Sequence, residues 1–246
     1  MTEKHFIVPD IKTVTIVGVG GTGGYLAQGL AKMMAGYRLD LDVTFVDPDT
    51  VEEKNRFRQN FMPWEIGQSK SESLAFRLNQ QFGLGIKSFV GKGEDFYQGN
   101  TGFRDLLITC VDKIEPRKNL RNHRLWLDSG NDLDFGQVIF GTTHEKKQLT
   151  KQLKAWDKSP NIESLPNAYR KAQMWKIKAP QTATASCADH PFTEQGCFIN
   201  EIAAQAALMI LHQILVVGSV TTPAIYFNAT NARMLPAKIN QSYIDC

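Results

Sequence analysis

The chain has 246 residues, 42% of them hydrophobic and 22% charged, with a formal net charge of +3. These proportions exclude a disordered or fibrous chain and leave one α/β domain, or one domain with a large insertion. A charge this small gives no argument for nucleic acid, and the polar start from Met1 to His5 has no signal-peptide pattern.

Val14 to Val17 is a short apolar, β-branched run that ends on glycine, as a buried parallel strand does. Thr22 to Ala35 follows as a helix with Leu26, Leu30, Met33 and Met34 on its apolar face. Val43 to Val46 is a second strand ending at Asp47, and Ser69 to Phe82 has helical periodicity through Leu74, Ala75 and Leu78. Ile86 to Val90 and Leu106 to Val111 are the third and fourth strands. Glu115 to His123 is a helix with Pro116 in its first turn, where a missing N–H costs little. Leu125 to Leu127 is the fifth strand.

After Asp128 the alternation stops. Gly136 to Phe140 reads as a strand outside the parallel core. From His144 to Lys178 there is no clean period, and nine Lys or Arg stand against three acids, with Trp156, Tyr169 and Trp175 between them. Ile199 to Val217 is a long apolar helix. The most apolar long stretch, Ile202 to Val220, carries Gln205, His212 and Gln213, so a buried helix is expected there rather than a membrane span, and a cytoplasmic protein. Ala224 to Phe227 and Arg233 to Leu235 are short strands joined by Asn228 to Asn231. The expected fold is α/β, a Rossmann-like, doubly wound, mostly parallel sheet with additional antiparallel strands toward the C-terminus. One domain over 1–246 is expected, with a basic insertion or crossover segment at about 144–195.

Gly18-Val19-Gly20-Gly21-Thr22-Gly23 falls between a strand and a helix, where backbone N–H groups at a positive helix terminus can cradle phosphate. It lacks Gly-Lys-Ser/Thr and is not a P-loop. Alone it allows NAD(P), FAD, ATP or S-adenosylmethionine. Asp47, at the end of the second strand, is placed to accept hydrogen bonds from ribose hydroxyls, which suits NAD and ATP alike. Asn55, Arg58 and Lys70 then add an amide and two fixed positive charges. A dinucleotide's pyrophosphate is largely satisfied by the turn, whereas a triphosphate losing pyrophosphate needs these further cations. Asp112, at the carboxyl end of the fourth strand, is placed to hold Mg²⁺.

Five motifs in order carry a resemblance: the glycine turn, Val46-Asp47-Pro48-Asp49-Thr50-Val51-Glu52, Asn55-x-x-Arg58-Gln59, Ile66-Gly67-Gln68-Ser69-Lys70, and Cys110-Val111-Asp112-Lys113 with Arg117. Residues 12 to about 140 thereby resemble the ThiF/MoeB/E1 superfamily, which adenylates ubiquitin-like and sulfur-carrier proteins. The Ser186-Cys187 and Phe198-Ile199-Asn200 regions narrow it toward the compact ThiF-type proteins of bacterial mobile-element operons, the PRTRC-system type. The resemblance implies ATP and Mg²⁺, with Gly18, Gly20, Gly21, Gly23, Asp47 and Asp49 holding the nucleotide. It places Asn55, Arg58 and Lys70 on the phosphates, and Asp112 on the metal and the adenylate. It further implies a homodimer, a small ubiquitin-like or sulfur-carrier protein as substrate, and an E2-like partner downstream. Two features depart from it. No arginine precedes Arg38, so the arginine that the family's N-terminal segment supplies to the partner subunit's phosphates is absent or replaced by Lys4, and the paired zinc cysteines of many members are missing.

The four cysteines are Cys110, Cys187, Cys197 and Cys246, none in a Cys-x-x-Cys pair, which gives structural zinc no support. Cys110 sits in an apolar run and reads as core. In the superfamily a cysteine before the last long helix accepts the activated carboxyl as a thioester. Cys187, in a polar stretch three residues from His190, is the stronger candidate, and Cys197 at the helix start the competitor. Some relatives stop at the adenylate. The basic aromatic segment reads first as a surface that steers an acidic protein partner, ahead of nucleic acid. An NAD(P)-dependent oxidoreductase, and a nucleotide-gated binding module without turnover, remain the rival functions.

Overall fold

The computed structural model describes residues 3–97, 102, 104–171 and 198–245. In chain order the elements are β1 (His5–Ile7), β2 (Thr13–Val17), α1 (Gly21–Tyr37), β3 (Asp42–Val46), α2 (Lys70–Phe82), β4 (Lys87–Phe89), α3 (Gly93–Tyr97), β5 (Asp105–Thr109) and α4 (Ile114–Asn119). They continue with β6 (Leu125–Asn131), β7 (Phe135–Gly141), α5 (Lys146–Lys154), β8 (Asn161–Ile162), α6 (Ala168–Lys171), α7 (Ile199–His212), β9 (Ser219–Val220), β10 (Ala224–Asn228), β11 (Arg233–Ala237) and α8 (Gln241–Ile244).

Eight strands form one sheet in the order β11-β10-β7-β6-β5-β2-β3-β4. β4, β3, β2, β5 and β6 are parallel, and β7, β10 and β11 continue the sheet antiparallel. The expected α/β architecture, with its antiparallel strands late in the chain, is the observed one. Val14, Ile16, Phe45, Leu106, Leu107, Ile108, Leu125, Trp126 and Leu127 are fully or almost fully buried, because a parallel strand covered on both faces must be apolar along its whole length.

Two helices position the site. α1 buries Leu26, Ala27, Leu30 and Ala31, and α7 answers with Ala203, Ala204, Ala206, Ala207, Ile210 and Leu211. The small residues let the axes approach so closely that a Cβ at Gly29 would overlap the Leu208 side chain. α2 starts where Ser69 accepts a hydrogen bond from the Glu72 amide and ends at Gly83, whose φ of 66° is the left-handed conformation that glycine adopts without strain.

Several boundaries differ from expectation. β6 runs on to Asn131 because Ser129-Gly130-Asn131 pairs with β7, which the polar composition of that stretch concealed. α4 ends at Asn119, not His123. β5 stops at Thr109, so Asp112 lies three residues beyond the strand, in the loop to α4. The aperiodic basic segment contains α5, anchored by buried Leu149 and Gln152. A second sheet, β8-β1-β9, went unanticipated, because strands of two or three residues leave no period to read. Ile199–Val217, whose last five residues form a π-turn, is among the described residues the one helix long and apolar enough to cross a membrane. Its apolar face packs on α1, β6 and β7.

Candidate functional site

β2 lies between β3 and β5, so the connections leave it in opposite directions and the carboxyl ends of the strands part. A cleft of about 810 Å³ opens there. It brings together Gly18, Gly20, Gly21, Asp47, Asp49, Asn55, Arg58, Lys70 and Asp112 from five separate chain segments. A larger hollow of about 940 Å³ lies at the opposite end of the strands, beside β1 and residues 142–148, far from the glycine turn.

The turn is built from backbone constraints. Gly18 has φ of 85°, and a Cβ there would stand 2.8 Å from the Cys110 carbonyl. A Cβ at Gly23 would fall on the Gly18 carbonyl oxygen, so Gly23 lets the turn close onto the helix without itself lining the cleft. Gly20 precedes α1 with no side-chain cap, and the first turn of α1 carries no acidic residue. The positive end of the helix dipole therefore faces the cleft with no carboxylate from the helix's own first turn upon it, which suits it to receive an anion.

Asp47 is 4% exposed and is held by two amides: Val19 N donates to Oδ2 at 2.8 Å and Asp49 N to Oδ1 at 2.9 Å. Burial raises its pKa above the ordinary carboxylate range, while the amides and Lys70 oppose the rise. A carboxylate has about four acceptor positions, so two amides leave capacity for hydroxyl donors. Lys70, at the first position of α2, is buried. Its Nζ lies 3.0 Å from Asp49 Oδ2, and Asp49 is 64% exposed. Arg58 is also buried. Asn55 accepts the Glu52 amide at 2.9 Å through Oδ1 and so caps the short helical turn 53–57 that delivers Arg58. Asp112 is exposed at the rim.

Under the cleft floor, Arg117 donates from Nε to Asp128 Oδ1 at 2.9 Å and from its terminal nitrogen to the Ser129 carbonyl at 3.1 Å. Asp128 also accepts the Thr109 hydroxyl at 2.5 Å, and Thr109 accepts the Trp126 indole N–H at 2.7 Å. Arg117 thus joins β5, β6 and α4 and holds the floor from beneath.

The arrangement suits a phosphorylated ribonucleotide: an uncapped helix terminus, a buried carboxylate for hydroxyls and two buried cations. Gln59 also lines the cleft, with its Oε1 buried and without a hydrogen-bond partner beside Gly20. Among the described residues no group of three or more His, Cys, Asp or Glu could hold a metal. One exposed carboxylate, Asp112, fits an ion that a nucleotide's phosphates would mostly carry.

Sequence reasoning missed Gln59, Thr22, Asn131 and Asn200 as site residues, along with Lys92 and Glu94 around the short helix α3, all of which line the cleft. Gln59 stood in a quoted motif. Asn200 comes from a helix 142 residues beyond Arg58 and carried no local signal of this contact. Lys4 does not reach toward the cleft: its Nζ donates to the carbonyls of Trp156 and Ser159 and lies 4.9 Å above the Trp156 ring. Within this chain it is committed to the basic segment. Cys187 and Cys197 lie outside the described residues, as do Trp175 and the rest of 172–197.

The ThiF family profile matches residues 11–233. Ubiquitin-like modifier-activating enzyme 5 of Oryza sativa is 29% identical over 139 residues, which is 48% of this chain and 32% of that protein. The protein of the same name from Culex quinquefasciatus is 32% identical over 139 residues, 48% of this chain and 34% of that one. The matched stretch is therefore about a third of these relatives' length. Among solved structures, E. coli MccB with ATP superposes with a TM-score of 0.59 at 14% identity, over 94% of this chain and 64% of that one. MccB in complex with N-formylated MccA gives 0.64 at 12% identity, over 93% and 65%. PaaA gives 0.58 at 12%, over 93% and 64%. At these identities the superpositions establish the shared fold.

Proposed function

The chain belongs to the ThiF family, and from that premise we propose that it is an E1-like adenylyltransferase. It would use ATP to activate the C-terminal carboxylate of a small ubiquitin-like or sulfur-carrier protein. The observation that carries this reading is the convergence of Arg58 and Lys70, both buried, on the uncapped N-terminus of α1 beside Asp47. A cleft for a dinucleotide has no need of two buried cations beyond the turn; a triphosphate whose pyrophosphate departs does. The names of the relatives, and the MccB structures with ATP and with MccA, point the same way.

In this reading Asp47 accepts the ribose hydroxyls, and Gly18, Gly20 and Gly21 let the phosphates approach the backbone. Lys70 and Arg58 hold charge that moves onto the leaving pyrophosphate. Lys70 exchanges Asp49 for a phosphate oxygen, which costs little because Asp49 is solvated. Mg²⁺ supplies further charge neutralisation, with Asp112 as its protein carboxylate. The partner's carboxylate oxygen attacks the α-phosphorus and the bond to pyrophosphate breaks, leaving an acyl-adenylate. A thiolate at Cys187, or at Cys197, would then attack the acyl carbon and release AMP. The chain acts as one adenylation domain in a cytoplasmic homodimer, with the basic segment at about 144–195 receiving the protein partner and an E2-like protein accepting the product.

The test is ATP–pyrophosphate exchange in the presence of candidate small proteins that end in an extended carboxyl tail. Exchange that depends on that protein and on its terminal carboxylate supports the reading. ATP binding without exchange for any such protein, or tight NAD binding indifferent to loss of Lys70, would overturn it.

A further inference from the structure

Asn200, on the first turn of α7, makes contacts that no structural need of that helix explains. Its Nδ2 donates to the Arg58 carbonyl at 3.1 Å. Its Oδ1 accepts from Asn131 Nδ2 at 3.2 Å and lies 3.3 Å from the Thr22 hydroxyl oxygen. The single Thr22 hydroxyl proton is donated to Asn131 Oδ1 at 3.0 Å, so three side chains close a ring of contacts. One amide therefore ties together the turn that carries Arg58, the first turn of α1 and the end of β6. All of them line the cleft.

The same amide explains a glycine. Gly21 has an ordinary backbone conformation, since it is absent from the positive-φ residues. A Cβ built there would meet Asn200 Nδ2 at 2.6 Å, Cγ at 2.8 Å and Oδ1 at 3.0 Å. Its three nearest obstacles all belong to one side chain. Gly18 and Gly23 are different, because what blocks a side chain there is first of all backbone carbonyl.

We propose that Asn200 is a positioning residue of the adenylation site, which fixes Arg58 relative to the N-terminus of α1, and that Gly21 lacks a side chain in order to admit it. The consequence for the reaction rests on the function proposed above; the coupling between residues 21 and 200 does not. An unanchored Arg58 still neutralises bound phosphate on average, but it is no longer held where charge develops as pyrophosphate leaves. Preorganisation of this kind acts on the transition state more than on ground-state binding.

The experiment is a double-mutant cycle of Gly21→Ala and Asn200→Ala, read by thermal melting of the ligand-free protein and by pyrophosphate exchange. Asn200→Ala is expected to lower the kcat of exchange at least about tenfold with KM for ATP changed less than about threefold. Gly21→Ala alone is expected to lower both the melting temperature and kcat. The double variant is expected to match Asn200→Ala in both readouts, because removing the amide vacates the space the new Cβ needs. If Gly21→Ala does not fold, recovery of folding in the double variant reads the same coupling. Additive losses in melting would overturn the assignment of Gly21, and a kcat within twofold of wild type for Asn200→Ala would overturn the positioning role. A wild-type protein that performs no exchange, yet shows the coupling in its melting, would sink the proposed function and leave the structural pairing standing.

Discussion

Two regions of this molecule, one beyond β3 and the other joining α4 to β5 and β6, each set a buried cation against a carboxylate. In the cleft, Lys70 meets Asp49, and their side chains are 8% and 64% exposed. Beneath it, Arg117 meets Asp128 at 7% and 4%, and Thr109, Trp126 and the Ser129 carbonyl complete the network. The difference lies in the partner. A cation whose counter-charge is solvated can exchange it for a phosphate, whereas one whose counter-charge is buried and fully bonded is committed to holding strands in place. Lys70, Asp49 and Arg117 all occur in quoted motifs, but Asp128 does not, and sequence reasoning assigned Arg117 no role to set against that of Lys70.

The comparison is broken most directly at its lower member. Arg117→Ala leaves Asp128 buried without its cation, and the expected loss is about 3–5 kcal/mol of folding stability by urea denaturation. A loss below about 1 kcal/mol would mean that water enters the floor and that the two pairs are alike. Lys70→Ala should invert the pattern. Its cost in stability is about 1 kcal/mol or less, as for pairs with an exposed member, while pyrophosphate exchange falls about 10²–10³-fold. Arg58→Ala should resemble Lys70→Ala in exchange. A Lys70 variant that unfolds as readily as the Arg117 variant would show that its pairing is structural.

How far the sequence reveals this difference follows from the range of the interactions. The parallel half was legible because each strand is a buried apolar run whose loop carries its own motif: Gly18 to Gly23 after β2, Asp47 after β3, Cys110 to Asp112 after β5. That placed Gly18, Gly20, Gly21, Asp47, Asp49, Asn55, Arg58, Lys70 and Asp112 at the cleft, and left out Gln59, Thr22, Lys92 and Glu94. Asn131 and Asn200 were not legible. They enter the cleft from β6 and α7, and their role depends on helix packing set by Gly29 and Leu208. Lys4 likewise gave no local sign of its contacts within the chain, since its partners Trp156 and Ser159 are more than 150 residues away. The burial of Asp128, which separates the two ion pairs, likewise depends on β7 lying against β6.

The amino ends of β5 and β6 differ from the cleft in their response to pH. His123 is 4% exposed and its ring meets Tyr97 edge-on at 4.2 Å between centroids. Burial lowers its pKa from 6.5 to about 4, with Asp105 opposing the shift. Between those values the unfolded chain binds a proton that the native protein does not, so stability rises with pH across the window. The contribution is complete above about pH 6.5 and is lost as pH falls toward 4, amounting to about 3 kcal/mol in full. Urea melts at pH 7.5 and 4.5 should show this loss in wild type, and His123→Gln should remove most of the difference. An unchanged pH slope in that variant would place the titrating group elsewhere.

The smallest expected effect distinguishes the thiol at the boundary between the two regions from those of the proposed acyl transfer. Cys110 lines the cleft, yet burial pushes its thiol up to about 12, with Asp128 adding to the rise and Arg117 opposing it. At pH 8 its thiolate fraction is then roughly a thousandfold below that of an ordinary cysteine, and alkylation should slow in proportion. Brief treatment of the native protein with iodoacetamide, followed by peptide mass analysis, should leave Cys110 unmodified, and the same treatment in denaturant should modify it. If Cys187 is the acyl acceptor, its labelling in the native protein should be fast, and a reductant-sensitive adduct with the carrier protein should disappear in Cys187→Ala and persist in Cys110→Ala. Cys110 is only partly buried and lines the cleft, so rapid native labelling would mean that its thiol is solvated there and that the rise assigned to its burial is absent.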